Sequence, residues 1–471
     1  MVSEDNGDLR ALFEPRGIAV IGSMKEGQGE GYKAIENMLQ FGFSGKVYPI
    51  SRSSGQVLGL RAYPAVAEVQ DPVDLAVVAT PPPSVPALIE QCGQKGIRAA
   101  IVISEGFAEA SDEGARLQRQ LVDTARRAGM RILGPNTLGV LNTANDLVTH
   151  PYHFGCNKPP AGGIGYCTQT GLLTFGVHPI RDKAYPISKV CDFGNKCDVN
   201  EVDLLHYLAD DPETKVIVMH LEDVKNGHRF MKAARKAVAR KPVLVFKPGR
   251  SEAGARAAAS HTGSLAGDDQ VYEKAFRQAG VIRLNTWREY WEVPKALSLQ
   301  PLPRGNRIAI ITATGGGGVM SIDAAQDDGL VPATFTVATM RHLETLSPRL
   351  ARNPVDLGPT MAMRDNPFAL YEEVVPAVLA DPNVDCAAIS CYASPPVVEV
   401  FRRLVRRISD ISKPVTLFGY GFDLAEMEES ARQFQAMGLP MYFDVELAVK
   451  ALGVSAACSE ARSRLAGEIG H

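Results

Sequence analysis

Gly17-Ile18-Ala19-Val20-Ile21-Gly22, glycines at positions 27, 29 and 31, a helical stretch from Ala34 to Gln40, and then Lys46-Val47-Tyr48-Pro49-Ile50 read in order as strand, glycine turn, helix and strand. Further apolar strands follow at Leu75-Ala76-Val77-Val78-Ala79, Ala99-Ala100-Ile101-Val102-Ile103 and Met130-Arg131-Ile132-Leu133, alternating with helical segments. This alternation predicts a parallel, doubly wound α/β sheet, whose ligands bind where strands end and helices begin. A second unit starts near Gly162 with Gly163-Ile164-Gly165-Tyr166-Cys167-Thr168-Gln169-Thr170-Gly171 and holds strands from Lys215 to Leu221 and from Pro242 to Phe246. A third starts after a linker, Pro301 to Arg304, with Arg307-Ile308-Ala309-Ile310-Ile311-Thr312 and the tetraglycine Gly315 to Gly318. The second and third share an opening, an apolar strand running into a small polar or glycine turn and a helix, which predicts related α/β modules packed as a pair.

The 471 residues allow about three units of ordinary size, each able to bury a core. A net charge of -3 from well-mixed residues gives no basic field for nucleic acid or an anionic membrane, and the cluster Arg402, Arg403, Arg406 and Arg407 has the spacing of a solvated helix face. No apolar run reaches the ~18 residues of a membrane span, and the first eight residues lack a basic and an apolar segment, so a cytoplasmic protein is expected. Eight scattered cysteines include no CxxC pair, Cys191 and Cys197 match no common zinc spacing, and His150 with His153 is not read as a ligand pair, so no metal is assigned.

Gly22, Ser23 and the glycines that follow form a turn that lets backbone approach a phosphate at a helix N-terminus. The second strand ends in Ser51-Arg52-Ser53-Ser54 rather than the Asp or Glu that takes the ribose hydroxyls of NAD. Hydroxyls and an arginine suit a ribose carrying a phosphate, which leaves NADP or coenzyme A. Three further strand ends bear on that choice: Pro81-Pro82-Pro83, Ile103-Ser104-Glu105-Gly106-Phe107 and Gly134-Pro135-Asn136-Thr137-Leu138-Gly139. Far downstream, the stretch from Pro248 to Gly267 is too small-sided to pack a core and holds one imidazole, His261, in Ser260-His261-Thr262-Gly263. A neutral imidazole is nucleophilic near pH 7 and can carry a phosphoryl group, so a mobile arm presenting one histidine points to transfer between two places.

Together the strand-end loops resemble the CoA-binding domain of the succinyl-CoA synthetase superfamily. The resemblance extends over essentially the whole chain and is strongest to the α subunits of ADP-forming acyl-CoA synthetases. It is carried most specifically by Gly249-Arg250-Ser251-Glu252-Ala253-Gly254 through Ser260-His261-Thr262-Gly263-Ser264-Leu265-Ala266-Gly267, with Leu221-Glu222-Asp223-Val224-Lys225-Asn226-Gly227 and Asn353-Pro354-Val355-Asp356-Leu357-Gly358. It implies an N-terminal Rossmann-like CoA-binding domain over 1–148, then two flavodoxin-like, succinyl-CoA synthetase-like domains over 155–299 and 305–462.

By the same resemblance, His261 is phosphorylated in turnover and Glu222 holds it. CoA contacts fall on Gly22, Ser23, Ser51, Arg52, Pro81, Ile103, Ser104, Glu105, Asn136 and Thr137. Two helix starts, Gln169-Thr170-Gly171 and Gly316-Gly317-Gly318, are expected to bind phosphate through unpaired N–H groups. Family members commonly carry Asn-Pro where Ser51-Arg52 stands, and many have cysteine at the position of Thr137. No stretch resembles an ATP-grasp domain, so ADP or ATP with Mg is expected on a β subunit in an α2β2 arrangement, with a small carboxylic acid or its acyl-CoA as substrate. The rival expectations are a CoA-binding regulatory or scaffold protein that has lost catalysis, and an NADP-dependent oxidoreductase, for which no hydride-transfer site is evident.

Overall fold

The computed structural model describes residues 8–151, 159–171, 185–256, 268–408 and 412–469. By its contacts the chain divides into two compact units, Met1–Asn285 and Thr286–His471.

The first unit holds two large sheets and a two-stranded antiparallel ribbon of Gln56–Val57 and Leu60–Arg61. One is built from β1 (Gly17–Gly22), β2 (Lys46–Ile50), β3 (Leu75–Ala79), β4 (Ala99–Val102) and β5 (Arg131–Leu133), all parallel, in the order β2-β1-β3-β4-β5. Every residue of β3 and β4 is buried, as unbroken apolar runs predict for strands covered on both faces. The order reverses direction at β1, between β2 and β3, which places the ligand crevice at the carboxyl ends of those strands.

The second sheet contains β6 (Val140–Asn142), β7 (Leu147–Val148), β8 (Ala161–Thr168), β9 (Ile187–Asp192), β10 (Val216–His220), β11 (Val243–Phe246) and β12 (Ile282–Leu284), in the order β12-β11-β10-β8-β9-β6-β7. After β5 the chain therefore leaves the first sheet: β6 pairs antiparallel with the edge of β9, which would otherwise expose unpaired backbone, and β7 pairs antiparallel with β6. The chain thus ties the two sheets together immediately after Asn136.

The second unit is one parallel sheet of β13 (Arg307–Thr312), β14 (Val331–Pro332), β15 (Val355–Asp356), β16 (Cys386–Tyr392), β17 (Val415–Tyr420) and β18 (Met441–Tyr442), ordered β14-β13-β16-β17-β18, with β15 also on β13. The helices at Trp287–Glu292 and Pro294–Leu299 belong to this unit, and Lys295 donates to the carbonyl of Met441.

The predicted kinship of the last two modules is visible at atomic detail. In the second sheet, Thr168 Oγ1 donates to Thr170 O (2.9 Å) and accepts from Thr170 N (3.1 Å); in the third, Thr312 Oγ1 donates to Thr314 O (2.7 Å) and accepts from Thr314 N (3.1 Å). Thr168 pairs with Asp192 and Thr312 with Asp356, and each aspartate accepts the N–H of a glycine two residues on, Gly194 or Gly358. The same turn is thus built twice from Thr-x-Thr and Asp-x-Gly.

Candidate functional site

The carboxyl edge of the first sheet gathers the residues assigned to CoA. Gly22 ends β1, where a Cβ would stand 2.7 Å from the carbonyl oxygen of Ala79, so the strand ends lie close together. The helix Glu30–Phe41 starts at Gly29 with no side-chain cap; Tyr32 N–H donates to Ser23 O (3.1 Å), and the N–H groups of Glu30 and Gly31 at this start can meet an anion. Ser51 Oγ accepts the N–H of Ser54 (3.2 Å), which shapes the turn, and Arg52 projects exposed from it. Ser104 Oγ donates to Thr80 O (2.6 Å) and accepts from Thr80 N (3.1 Å), fixing the loop of Pro81 against that of exposed Glu105. Ile103 is buried and bonded through its N–H to Val78 O, so its part in a ligand site is to floor it. Asn136, exposed at φ +57°, is bonded to Ser104 O (2.9 Å).

Thr137 is placed differently from its neighbour. It is 2% exposed, and its hydroxyl donates to Asp192 O (2.5 Å) while accepting Gly139 N–H (2.9 Å). Its side chain is committed to joining the two sheets rather than turned to a ligand.

Where the sheets meet, Asn136, Gln169, Thr170, Gly171, Asp192, Gly194, Asn195, Glu222, Asp223 and Lys225 line a cavity of about 440 Å³, closed on the other side by Ala108, Glu109 and Gln118. A larger groove of about 1160 Å³ runs past Arg16, Lys46, Lys189 and Asp211, but it lies toward the amino ends of β1, β2 and β9. Chemistry in doubly wound sheets belongs at carboxyl ends, which favours the smaller cavity.

Gln169 organises that cavity. Its Oε1 accepts the N–H of Glu222 (2.9 Å), and its Nε2 donates to Asp223 Oδ1 (2.7 Å). Lys196, with a fully buried side chain, bonds Asp223 Oδ1 (2.7 Å), Asp223 O (2.8 Å) and Glu201 Oε2 (3.2 Å). Burial alone would raise the Asp223 pKa, yet Lys196 and the Gln169 amide hold it below the usual carboxylate range. Asp192, almost wholly enclosed, is pushed up to about 6 by burial and further by Glu222, against the N–H donors Leu138 (2.7 Å) and Gly194 (3.2 Å). Gly194 sits at φ +53°, and a Cβ there would overlap the carbonyls of Pro135 and Asn136, so only glycine allows the two loops to approach.

Gln169 and Thr170 stand at the end of β8 as predicted, but the helix expected to follow Gly171 lies outside the described residues. So does His261, together with the rest of 257–267. The described part of the arm is not structureless: residues 252–256 are helical, and Ser251 Oγ accepts the N–H of Gly254 (3.1 Å), as an N-capping serine before Glu-Ala does. In the second unit, Thr314 caps the helix Gly315–Asp327 by accepting Gly317 N–H (3.1 Å), and Gly318 N–H bonds Thr314 O (3.2 Å). Gly317 and Gly318 are buried, so Gly316 and Gly315, both exposed, carry the N–H groups that can meet an anion. Asp192, Asn195, Lys196 and Lys225 were not anticipated; the repeated Asp-x-Gly was the sequence signal for the first.

His220, behind Gln169, is 3% exposed, and its Nδ1 lies 3.4 Å from Gln169 N; burial, then Lys247 and Lys196, depress its pKa from 6.5 to about 3. Buried His150 is likewise lowered to about 3. The unfolded chain protonates these imidazoles near 6.5 whereas the folded chain does not. Folding stability is therefore complete above that pH and falls as pH drops toward 3, by up to about 1.4 kcal/mol per unit for each histidine. Denaturant titrations at pH 7 and pH 5 should show this loss, and His220→Phe should make the slope shallower by close to one proton.

A family model described as a CoA binding domain matches residues 16–143, and one described as a succinyl-CoA ligase-like flavodoxin domain matches residues 161–297. The chain is 37% identical to acetate–CoA ligase [ADP-forming] II of Archaeoglobus fulgidus, with 95% of this chain aligned but only 66% of that protein. A structure of the dinucleotide-forming acetyl-coenzyme A synthetase 1 of Ca. Korarchaeum cryptofilum, in complex with phosphate and ADP, superposes with a TM-score of 0.90 at 33% identity, covering 98% of this chain and 99% of that one. It is also 37% identical to acetate–CoA ligase [ADP-forming] I subunit alpha of Pyrococcus furiosus, spanning 94% of this chain and 96% of that subunit, and it therefore belongs to the family of ADP-forming acetate–CoA ligase α subunits.

Proposed function

We propose that this chain is the α subunit of an ADP-forming acyl-CoA synthetase that interconverts acyl-CoA, ADP and phosphate with acid, ATP and CoA. The observation that carries the reading is the cavity in which the Asn136 loop of the CoA-type sheet meets Gln169-Thr170-Gly171 and Glu222. Phosphate attacks the thioester carbonyl, the C–S bond breaks, and acyl phosphate and CoA result. His261 then takes the phosphoryl group from the acyl phosphate, the P–O bond to the acyl oxygen breaks, and the carboxylic acid leaves. The arm carries the phosphoryl group to ADP with Mg on an ATP-grasp β subunit, in an α2β2 assembly and in the cytoplasm, where acyl-CoA and ADP are found.

In this reading Glu222 accepts one imidazole N–H and fixes the tautomer that leaves the other nitrogen free to attack. Two N-terminal turns of the Thr-x-Thr type, ending in Thr170-Gly171 and Thr314-Gly315-Gly316, stabilise phosphoryl groups. CoA lies along Gly22, Ser23, Ser51, Arg52, Pro81, Ser104, Glu105 and Asn136, floored by Ile103, with Thr137 anchoring the loop. The uncapped helix start at Gly29 supports that fit, since it offers N–H groups to a phosphate. Calorimetric titration of the full chain should give saturable CoA binding and none with NADPH, and Arg52→Ala should weaken CoA by about tenfold. Tighter binding of NADPH than of CoA would overturn the reading.

A further inference from the structure

Lys225 is the one cation among the described residues lining the cavity, which also presents the carboxyls of Glu109, Asp192, Glu222 and Asp223. Glu109 accepts the N–H groups of Gly106 and Phe107 and the amide of Asn195; Asp192 accepts Leu138 and Gly194; Asp223 is paired with Lys196. Even so, an incoming phosphate dianion would face a wall of acceptors and negative charge, a repulsion that low local dielectric magnifies. Lys196 cannot offset it by contact, because its side chain is fully enclosed and its ammonium is bonded to Asp223 and Glu201.

Lys225 is differently placed. The residue as a whole is exposed, yet its ammonium is turned back onto the protein, donating to Asn195 O (2.9 Å) and Lys196 O (2.7 Å). Those two acceptors hold the head rigidly at the cavity wall and use two of the three N–H groups an ammonium carries. The partial desolvation of that head, with Lys196 close by, lowers the Lys225 pKa below its ordinary value, and a phosphate dianion beside it would favour the charged ammonium.

We propose that Lys225 is the phosphate-contacting cation of this site, its remaining N–H directed at inorganic phosphate and at the same group once it is transferred. This rests on the phosphohistidine reading above and adds to it the residue that recognises phosphate. Asn195 couples that head to the CoA side, since its side chain bonds Glu109 and Gln118 (3.0 Å) while its carbonyl accepts from Lys225.

The test is phosphate binding to the full-length chain in the presence of CoA, read by 31P NMR, for wild type, Lys225→Met and Lys225→Arg, with CoA affinity measured in parallel. Charge-assisted hydrogen bonds of this kind should make Lys225→Met bind phosphate about 10- to 100-fold more weakly, with CoA affinity unchanged, and Lys225→Arg should recover most of the loss. Wild-type phosphate affinity should also decline at alkaline pH, where the lysine deprotonates and Lys225→Arg does not. Phosphate binding in Lys225→Met within threefold of wild type, or a parallel loss of CoA affinity, would overturn this inference alone. Absence of phosphate binding in the wild type would overturn the functional reading beneath it as well.

Discussion

Replacing His261 by Asn in the complete enzyme lowers ATP formation from acyl-CoA, ADP and phosphate by at least about 10³-fold, while CoA affinity stays within about twofold. The asymmetry follows from the division of labour in the chain. CoA is assigned to strand ends between Gly22 and Asn136, whereas the histidine belongs to the stretch that follows Gly249 in sequence. Asparagine keeps a polar side chain of similar reach but cannot form a phosphoramidate that transfers onward, so only the phosphoryl relay is lost. Glu222→Gln should fall between the two, since the Gln169 contact is to the Glu222 backbone N–H and survives the substitution. Steady-state ATP synthesis together with calorimetric CoA binding checks both variants.

Lys196→Met is expected to be the most damaging single change to stability, at about 3–5 kcal/mol, because it strips the counter-charge from two carboxylates that remain enclosed. Glu201 is 1% exposed and Asp223 is 16% exposed, and Lys196 is their shared cation at 3.2 and 2.7 Å. A thermal scan should show the first unit melting roughly 10 °C earlier, and adding Glu201→Gln should recover part of the loss by removing one orphaned charge. Methionine matches the volume of the lysine stem, so a cavity is not the cause. A Lys196→Met protein melting within 2 °C of wild type would show that the buried cluster is not held by charge pairing.

The parts of this molecule that were legible in sequence are those written in local pattern. Leu75–Ala79 and Ile308–Ile311 are unbroken apolar runs because parallel strands are covered on both faces, and their burial follows. The glycines and hydroxyls after each strand marked the carboxyl edge correctly for the same reason. What stayed hidden depends on partners far along the chain. Nothing near Thr137 announces that its hydroxyl is taken by Asp192 O, and nothing near Val140 says that the chain there changes sheets to cover the edge of β9. The local sequence gives no role to Lys225 or Lys196 until the fold brings Asn195, Asp223 and Glu201 to them. Ser251 caps a short helical turn at residues 252–256, where the small side chains of the stretch from Pro248 to Gly267 predict an arm without structure.

The central claim is a phosphorylated histidine on this chain. The most direct measurement is incubation of the purified chain with labelled acetyl phosphate, followed by proteolysis and mapping of the label. Acid-labile, base-stable label confined to the peptide containing His261, and missing from His261→Asn, is the predicted result. Label on another residue, or none from several acyl phosphates even after a nucleotide-binding partner subunit is added, would contradict it.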